Sequence, residues 1–198
     1  MRIIVVGAEG DIGRAACAAL GRHDIIRAGR SRGDVIVDMA DRASVEAMYA
    51  RTGPVDAVVA TAGAVHFGPL ADFTEESFLL GLRNKVMGQV NLVLAGLGSV
   101  TDGGSFTLTS GVLDRDPIRS GAAAATANGA LGGFVTGAAI EMPRGLRINV
   151  VSPGLLDVSV PRYGDWFPGH EPVASHRVGL AYLKSVEGAL TGQVIVVG

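Results

Sequence analysis

The chain has 198 residues, 48% hydrophobic and 18% charged, with 29 glycines, a composition that supplies one sizeable hydrophobic core and argues against a disordered or fibrous chain. A formal net charge of −2 provides no broad basic field, which argues against DNA, RNA or an anionic membrane surface as a partner. Cys17 is the only cysteine, so no intrachain disulfide framework exists, and its alanine-rich surroundings predict an inert buried thiol suited to a reducing cytoplasm.

Met1 and Arg2 lead straight into Ile3-Ile4-Val5-Val6 and glycine, leaving no room for the apolar stretch of a signal peptide. No apolar run is long enough to span a membrane. Short β-branched runs at 3–6, 25–26, 35–37, 55–59, 106–108, 148–151 and 194–197 read as buried strands. Helical spacing occupies 12–20, 44–51, 75–97 and 122–142. Thr74 followed by Glu75 and Glu76 marks a helix start, because an oxygen cap and early carboxylates satisfy its exposed amides and dipole. Pro143 and Gly145 mark the end of the last helical stretch. The fold class predicted is α/β: a doubly wound parallel sheet of about seven strands between two helical layers, formed as one domain over 1–198. The irregular stretch 153–172, rich in glycine, proline and aromatics, is expected to act as a lid over a substrate.

Directly after the first strand comes G-A-E-G-D-I-G, in which Gly7, Gly10 and Gly13 frame Asp11 and Ile12. Glycines there permit a tight strand-to-helix turn and close approach of backbone to a pyrophosphate, and the helix N-terminus offers unpaired N–H groups to the anion. The alternative is a glycine-rich turn that binds nothing. Glu9 and Asp11 are acidic beside such a site, so their side chains are expected to point to solvent, with Arg14 offsetting the charge. At the end of the second strand stand Gly29, Arg30, Ser31 and Arg32 in place of a carboxylate. Arginine offers planar donors suited to a phosphate and serine adds a short hydrogen bond, against the alternative that these residues only solvate a loop.

With A-G-R-S, V-D-M, A-T-A-G, L-T-S-G, S-P-G and T-G-Q-V-I-V-V-G following in order at successive strands, the chain resembles the short-chain dehydrogenase/reductase family over nearly its whole length. The resemblance implies a nicotinamide dinucleotide, and Arg30 and Ser31 favour NADP(H). It implies that Asp38 accepts from the adenine amino group beside the Met39 backbone. It also implies that Thr61, Ala62 and Gly63 line the adenine-ribose side, although threonine replaces the usual asparagine, and that Pro153 and Gly154 approach the nicotinamide. Asp11 stands where a second glycine is often found.

The reaction centre departs from the family. Ser110 matches the family serine, whereas the tyrosine position falls on Ala124 and the lysine position on Asn128. Aligning Gly88 with the family glycine puts Lys85 at the asparagine position, so the lysine and asparagine appear exchanged; a register shifted by one would place Asn84 there instead. Ser110, Lys85 and Asn128 are therefore the candidate catalytic residues, and Tyr163 reads as a packing or substrate contact. His66 reads as a solvated loop residue. The four histidines show no metal-ligand spacing, so no metal is expected, and no G-x-S-x-G elbow suggests a hydrolase. The expected function is a cytoplasmic NADP(H)-dependent oxidoreductase acting on a small carbonyl, alcohol or enone with a non-standard proton donor. The alternative is a redox-inactive NADP(H)-binding sensor or assembly protein of the same fold. The family also suggests a homo-oligomer, dimer or tetramer, assembled through the helices near 86–93 and 122–139.

Overall fold

In a computed structural model that describes residues 1–198, seven parallel strands form one sheet. The strands are β1 (Arg2–Val6), β2 (Asp24–Gly29), β3 (Val35–Ile36), β4 (Val55–Ala60), β5 (Val100–Thr109), β6 (Arg147–Pro153) and β7 (Val194–Val197), in the order β3-β2-β1-β4-β5-β6-β7. The helices are α1 (Asp11–Ala19), α2 (Arg42–Thr52), α3 (Glu75–Gly81), α4 (Gly88–Gly96), α5 (Ala122–Ala139), the short α6 (Val160–Tyr163) and α7 (Ser175–Glu187).

Alternate residues of each strand point to opposite faces. Ile4, Val6, Val58, Phe106 and Ile148 pack against α2, α4 and α5 through Met48, Leu92 and Leu131. Ile3, Val5, Ala57, Val59 and Val151 pack against α1 and α7 through Ala16 and Tyr182. Both faces are covered, which is why the strands read as continuous apolar runs rather than alternating ones. The strand order reverses between β1 and β4, and that reversal opens a crevice beyond their carboxyl ends.

Three departures from the sequence reading matter. The helix expected over 75–97 is interrupted by a wide π turn at Leu82–Met87, a feature that collects at functional sites. Its start is as anticipated at Thr74, with Ser77 completing a capping box: Ser77 N–H donates to Thr74 Oγ1 at 3.1 Å and Thr74 N–H to Ser77 Oγ at 3.0 Å. The helix expected to reach residue 142 stops at Ala139, and Pro143–Gly145 forms a separate tight turn. Helix α7 was not among the anticipated elements. Gly179 in its middle reads as a breaker, yet a Cβ there would lie 2.5 Å from Ala15 O, so glycine is what lets α7 lie against α1. No helix is long and apolar enough to cross a membrane.

Candidate functional site

The crevice begins at the glycine loop. Gly7 has φ +84°, and a Cβ on it would lie 2.9 Å from both Thr61 Oγ1 and Ala62 Cβ, while one on Gly13 would lie 2.7 Å from Ala8 Cα. Gly10 caps α1, and its N–H donates to Gly7 O at 3.0 Å. The turn is therefore as tight as a close backbone approach to an anion requires, and the first amides of α1, at Asp11, Ile12 and Gly13, belong to a helix end without intrahelical acceptors.

Of the two carboxylates of this loop, Glu9 is exposed beside Arg14 as expected, whereas Asp11 departs from the solvent-pointing expectation. Glu9 lies 3.8 Å from Arg14 and 3.9 Å from Arg27. Asp11 is turned away from solvent onto the 153–172 stretch, where Ser159 Oγ donates to its Oδ2 at 2.6 Å and the Arg162 guanidinium pairs with the same oxygen. The Ser159 hydrogen bond, helped by Arg162 and opposed by burial, holds the Asp11 carboxyl below the usual carboxylate range. A partner for Asp11 so distant in sequence left no local signal.

A cavity of about 240 Å³ follows, walled by Gly7, Gly29, Arg30, Asp38, Met39 and Asn84, with Ala62 and Gly63 between them. Arg30 is exposed at its rim; Ser31 is exposed beside it and not part of the wall. Asp38 Oδ1 accepts from Ala40 N–H at 3.0 Å, which closes a turn and leaves Oδ2 free of protein partners. Thr61 does not form the wall: its hydroxyl donates to Val6 O at 2.8 Å and so ties β4 to β1. Asn84 Oδ1 accepts from Ala64 N–H at 2.8 Å, so this asparagine fixes the loop after β4 while its neighbour Lys85 serves the next cavity.

That second cavity, about 360 Å³, is reached by Ile12, Pro153 and Gly154 and contains Ser110, Lys85 and Asn128 together. Lys85 Nζ donates to Asn128 Oδ1 at 2.6 Å and to Ser110 O at 2.9 Å, and Asn128 Nδ2 donates to Gly111 O at 3.0 Å. Burial pushes the Lys85 ammonium down to about 8, opposed by the charge of Asp114. Gly63, at φ +152°, makes room for this lysine, since a Cβ there would lie 2.6 Å from Lys85 Cγ. Ser110 Oγ is buried without a hydrogen-bond partner. An orphaned hydroxyl costs about 1–3 kcal/mol; Ser105 Oγ is unpartnered too, but only Ser110 lines this cavity, where its hydroxyl is within reach of a bound molecule.

Two supports escaped the sequence reading. The fully buried Gln89 clamps both backbone groups of Thr109, donating to its carbonyl at 2.9 Å and accepting from its N–H at 2.8 Å, and so fixes the strand end that carries Ser110. Arg115 donates to Ser152 Oγ at 2.5 Å and Ser152 O at 3.2 Å, joining the loop after β5 to the end of β6. Two amides, Gln89 and Asn91, in an otherwise apolar helix were the available signal for Gln89; Arg115 carried none. Ala124 is buried in the same cavity wall, so no phenol enters from α5, whereas Tyr163 borders the cavity from α6. His66 is partly buried, edge-on to Phe73 at 5.2 Å. No cluster of three or more histidine, cysteine or acidic side chains is placed to hold a metal ion.

Residues 7–186 match the family model described as Enoyl-(Acyl carrier protein) reductase. The chain is 30% identical over 125 residues to the Cyclic-di-GMP-binding biofilm dispersal mediator protein of Escherichia coli (strain K12), a match that covers 62% of this chain and 53% of that protein. The chain thus spans about half the length of this curated relative. Among solved structures, the protein lin1944 from Listeria innocua superimposes with a TM-score of 0.98 at 45% identity over 100% of both chains. A small-chain dehydrogenase in complex with NADPH superimposes with a TM-score of 0.86 at 26% identity, over 100% of this chain and 96% of that one.

Proposed function

From the premise that the chain belongs to the short-chain dehydrogenase/reductase family, we propose that it is an NADP(H)-dependent oxidoreductase acting on a small carbonyl, alcohol or enone. The observation that carries the reading is the Lys85–Asn128 hydrogen bond of 2.6 Å, in the wall of a cavity that begins at the glycine loop and holds an unpartnered Ser110 hydroxyl. The NADPH complex of the 26% identical dehydrogenase supports the choice of cofactor.

When bound, the dinucleotide supplies a hydride equivalent to the substrate carbon, and the substrate oxygen takes up a proton. The first amides of α1 receive the pyrophosphate. Arg30, with Ser31 beside it, receives the 2′-phosphate through charge-assisted hydrogen bonds. Asp38 Oδ2 and the Met39 backbone receive the adenine. Lys85 retains one ammonium proton beyond the two given to Asn128 and Ser110 O and directs it to the ribose or to a water beside the substrate oxygen. Ser110 Oγ donates to that oxygen and so stabilises charge developing there. We further propose that the protein works in the cytoplasm as a single domain and as a homo-oligomer. The groove between α4 and α5, walled by Leu94, Leu97, Phe134 and Met142 with Leu94 46% exposed, supports assembly through those helices.

A specific feature favours a second reading. Ala124 removes the family's proton donor, and the E. coli relative is by name a nucleotide-binding mediator, so a redox-inactive NADP(H)-binding sensor or assembly protein is the alternative. Incubating the protein with NADPH and a panel of neutral carbonyls and enones separates the two. Cofactor oxidation that depends on the substrate supports the oxidoreductase; saturable NADPH binding without turnover supports the sensor.

A further inference from the structure

The reaction cavity continues outward into a smaller one of about 100 Å³, lined by Phe67, Ile118, Tyr163, Trp166 and Phe167 and by nothing polar except the Tyr163 hydroxyl. Phe67, Tyr163 and Phe167 belong to both walls, so the two spaces are continuous. Phe67 comes from the loop after β4, Ile118 from the loop after β5, and the others from the 153–172 stretch. The first two loops are joined where Gly68 N–H donates to Ser120 O at 3.0 Å. Phe67 meets Trp166 edge to face, with ring centroids 6.0 Å apart, so one loop and the opposite stretch close into an aromatic clasp.

The charges are as informative as the rings. Neither wall contains Asp, Glu, Arg or His, and its one cation, Lys85, already gives two of its three protons to Asn128 and Ser110 O. Of the guanidinium groups on the surrounding loops, Arg162 is committed to Asp11 and Arg115 to Ser152 and Asp114, while Arg119, next to Ile118, is exposed and lines neither wall. A carboxylate or phosphate on the substrate would enter this space without a partner, and burying an unpaired charge is strongly unfavourable. A neutral apolar group loses nothing and gains contact with the rings.

We infer that the substrate is a neutral carbonyl compound whose oxygen lies at Ser110 and whose apolar ring or chain fills the clasp formed by Phe67, Trp166 and Phe167, which thereby select against substrates bearing a carboxylate or phosphate. The inference rests on the oxidoreductase reading above, and it names the specificity-determining side chains for the same site.

Trp166 is the only tryptophan, so intrinsic fluorescence reports occupancy of the clasp without any turnover. The experiment first titrates the protein with NADPH, then saturates it with NADP⁺, from which no hydride can pass to a ketone, and titrates that complex with 2-heptanone and cyclohexanone as neutral probes and with pyruvate and levulinate as anionic ones, reading Trp166 emission and calorimetric heat. Saturable binding of the neutral ketones, at least about tenfold tighter than levulinate, is expected. Phe67 and Trp166 are 38% and 51% exposed, so F67A and W166L leave the core intact. Each should weaken the neutral probes about 2- to 10-fold without altering NADPH affinity, with calorimetry serving where the reporter is removed. Equal affinity for levulinate and 2-heptanone, no saturable ketone binding, or unchanged ketone affinity in F67A would overturn the inference while leaving the oxidoreductase reading intact. Absence of NADPH binding in the first titration would strike that reading instead.

Discussion

Lys85 on the turn between α3 and α4 and Asn128 on α5 are joined by a 2.6 Å hydrogen bond from Nζ to Oδ1. The ammonium comes from that turn and the amide from α5, and the two meet in the wall of the cavity that holds Ser110. The ammonium reaches the cavity from the opposite wall, and the backbone of Ser110 and Gly111 anchors both partners.

The pair should behave as one unit. Lys85→Met and Asn128→Ala are each expected to weaken NADPH about tenfold, the loss of one charge-assisted hydrogen bond and its dependants. The double variant should lose less than the sum, because either change alone already dissolves the network. Calorimetric titration of the four proteins checks this; strictly additive losses would place Lys85 outside the site.

The same lysine has a pH signature. Burial lowers its folded value to about 8 from 10.5, so between those values the unfolded chain holds more protons than the folded one. Stability must then rise with pH in that window, the cost of carrying the buried ammonium being fully present below about 8. Cys17 opposes the rise in the same window, because burial keeps its thiol protonated in the fold while the unfolded thiol ionises at about pH 8.5–9, and above about pH 9.5 unfolded tyrosines add to that opposition while Tyr49 and Tyr182 stay protonated in the fold. The experiment therefore uses a Cys17→Ala background, in which urea midpoints should rise between pH 7.5 and 9.5 and should lose that rise when Lys85→Met is added.

Arg30 tests the cofactor. It is exposed on the rim of the cavity beside Asp38, with no carboxylate at the end of β2 to oppose a phosphate. Arg30→Ala should weaken NADPH about 10- to 100-fold, the range for one or two charge-assisted hydrogen bonds, and leave NADH nearly unchanged. Equal affinities for NADPH and NADH in the unmodified protein would remove the assignment.

What the sequence made legible follows from where the information lies. Buried strands announce themselves because parallel pairing covers both faces, and Gly7 and Gly13 announce the tight strand-to-helix turn because only glycine fits their contacts. The Lys85–Asn128 meeting could be anticipated by counting from motif to motif. The turn at Leu82–Met87 could not, since a shift of backbone hydrogen bonds leaves side-chain periodicity almost unchanged. Helix α7 was hidden by Gly179, although Val178, Ala181, Tyr182 and Val186 mark its buried face. Thr61 and Asp11 were misplaced for a shared reason: their partners, Val6 and Ser159, lie far away in the chain.

The Asp11 clasp bears on the lid. Ser159 and Arg162 attach the 153–172 stretch to the first turn of α1, so that stretch and the pyrophosphate site share one carboxylate. Ser159→Ala should speed amide exchange across 157–166 about tenfold in the free protein, by removing the 2.6 Å hydrogen bond that ties the stretch to Asp11. Saturating NADPH should slow exchange over 153–172 in the unmodified chain. Unchanged exchange in both experiments would mean that Trp166 and Phe167 form a permanent plug.

The sharpest test of the chemistry is Ala124→Tyr. Ala124 lies one helical turn before Asn128 and lines the cavity of about 360 Å³ that holds Lys85 and Ser110. In the family pattern the phenol at this position is made more acidic by a lysine four residues later on the same helix. Here the residue four positions later is Asn128, but the Lys85 ammonium is hydrogen-bonded to its Oδ1, so a cation waits close to where the family lysine would bring it. A phenol introduced at 124 would therefore meet both a neighbouring ammonium and the unpartnered Ser110 hydroxyl, the two groups that tune and share a proton with it. The expected outcome is a kcat for reduction of a neutral ketone raised about 10²-fold, the scale of one well-placed general acid, with NADPH affinity unchanged. The gain should vanish when Lys85→Met is added, because the phenol then loses the charge that lowers its pKa. Steady-state kinetics of the single and double variants decide it. An increase that survives Lys85→Met would show that Lys85 does not serve the proton, and no increase in a folded, NADPH-binding variant would show that proton supply is not what limits this site.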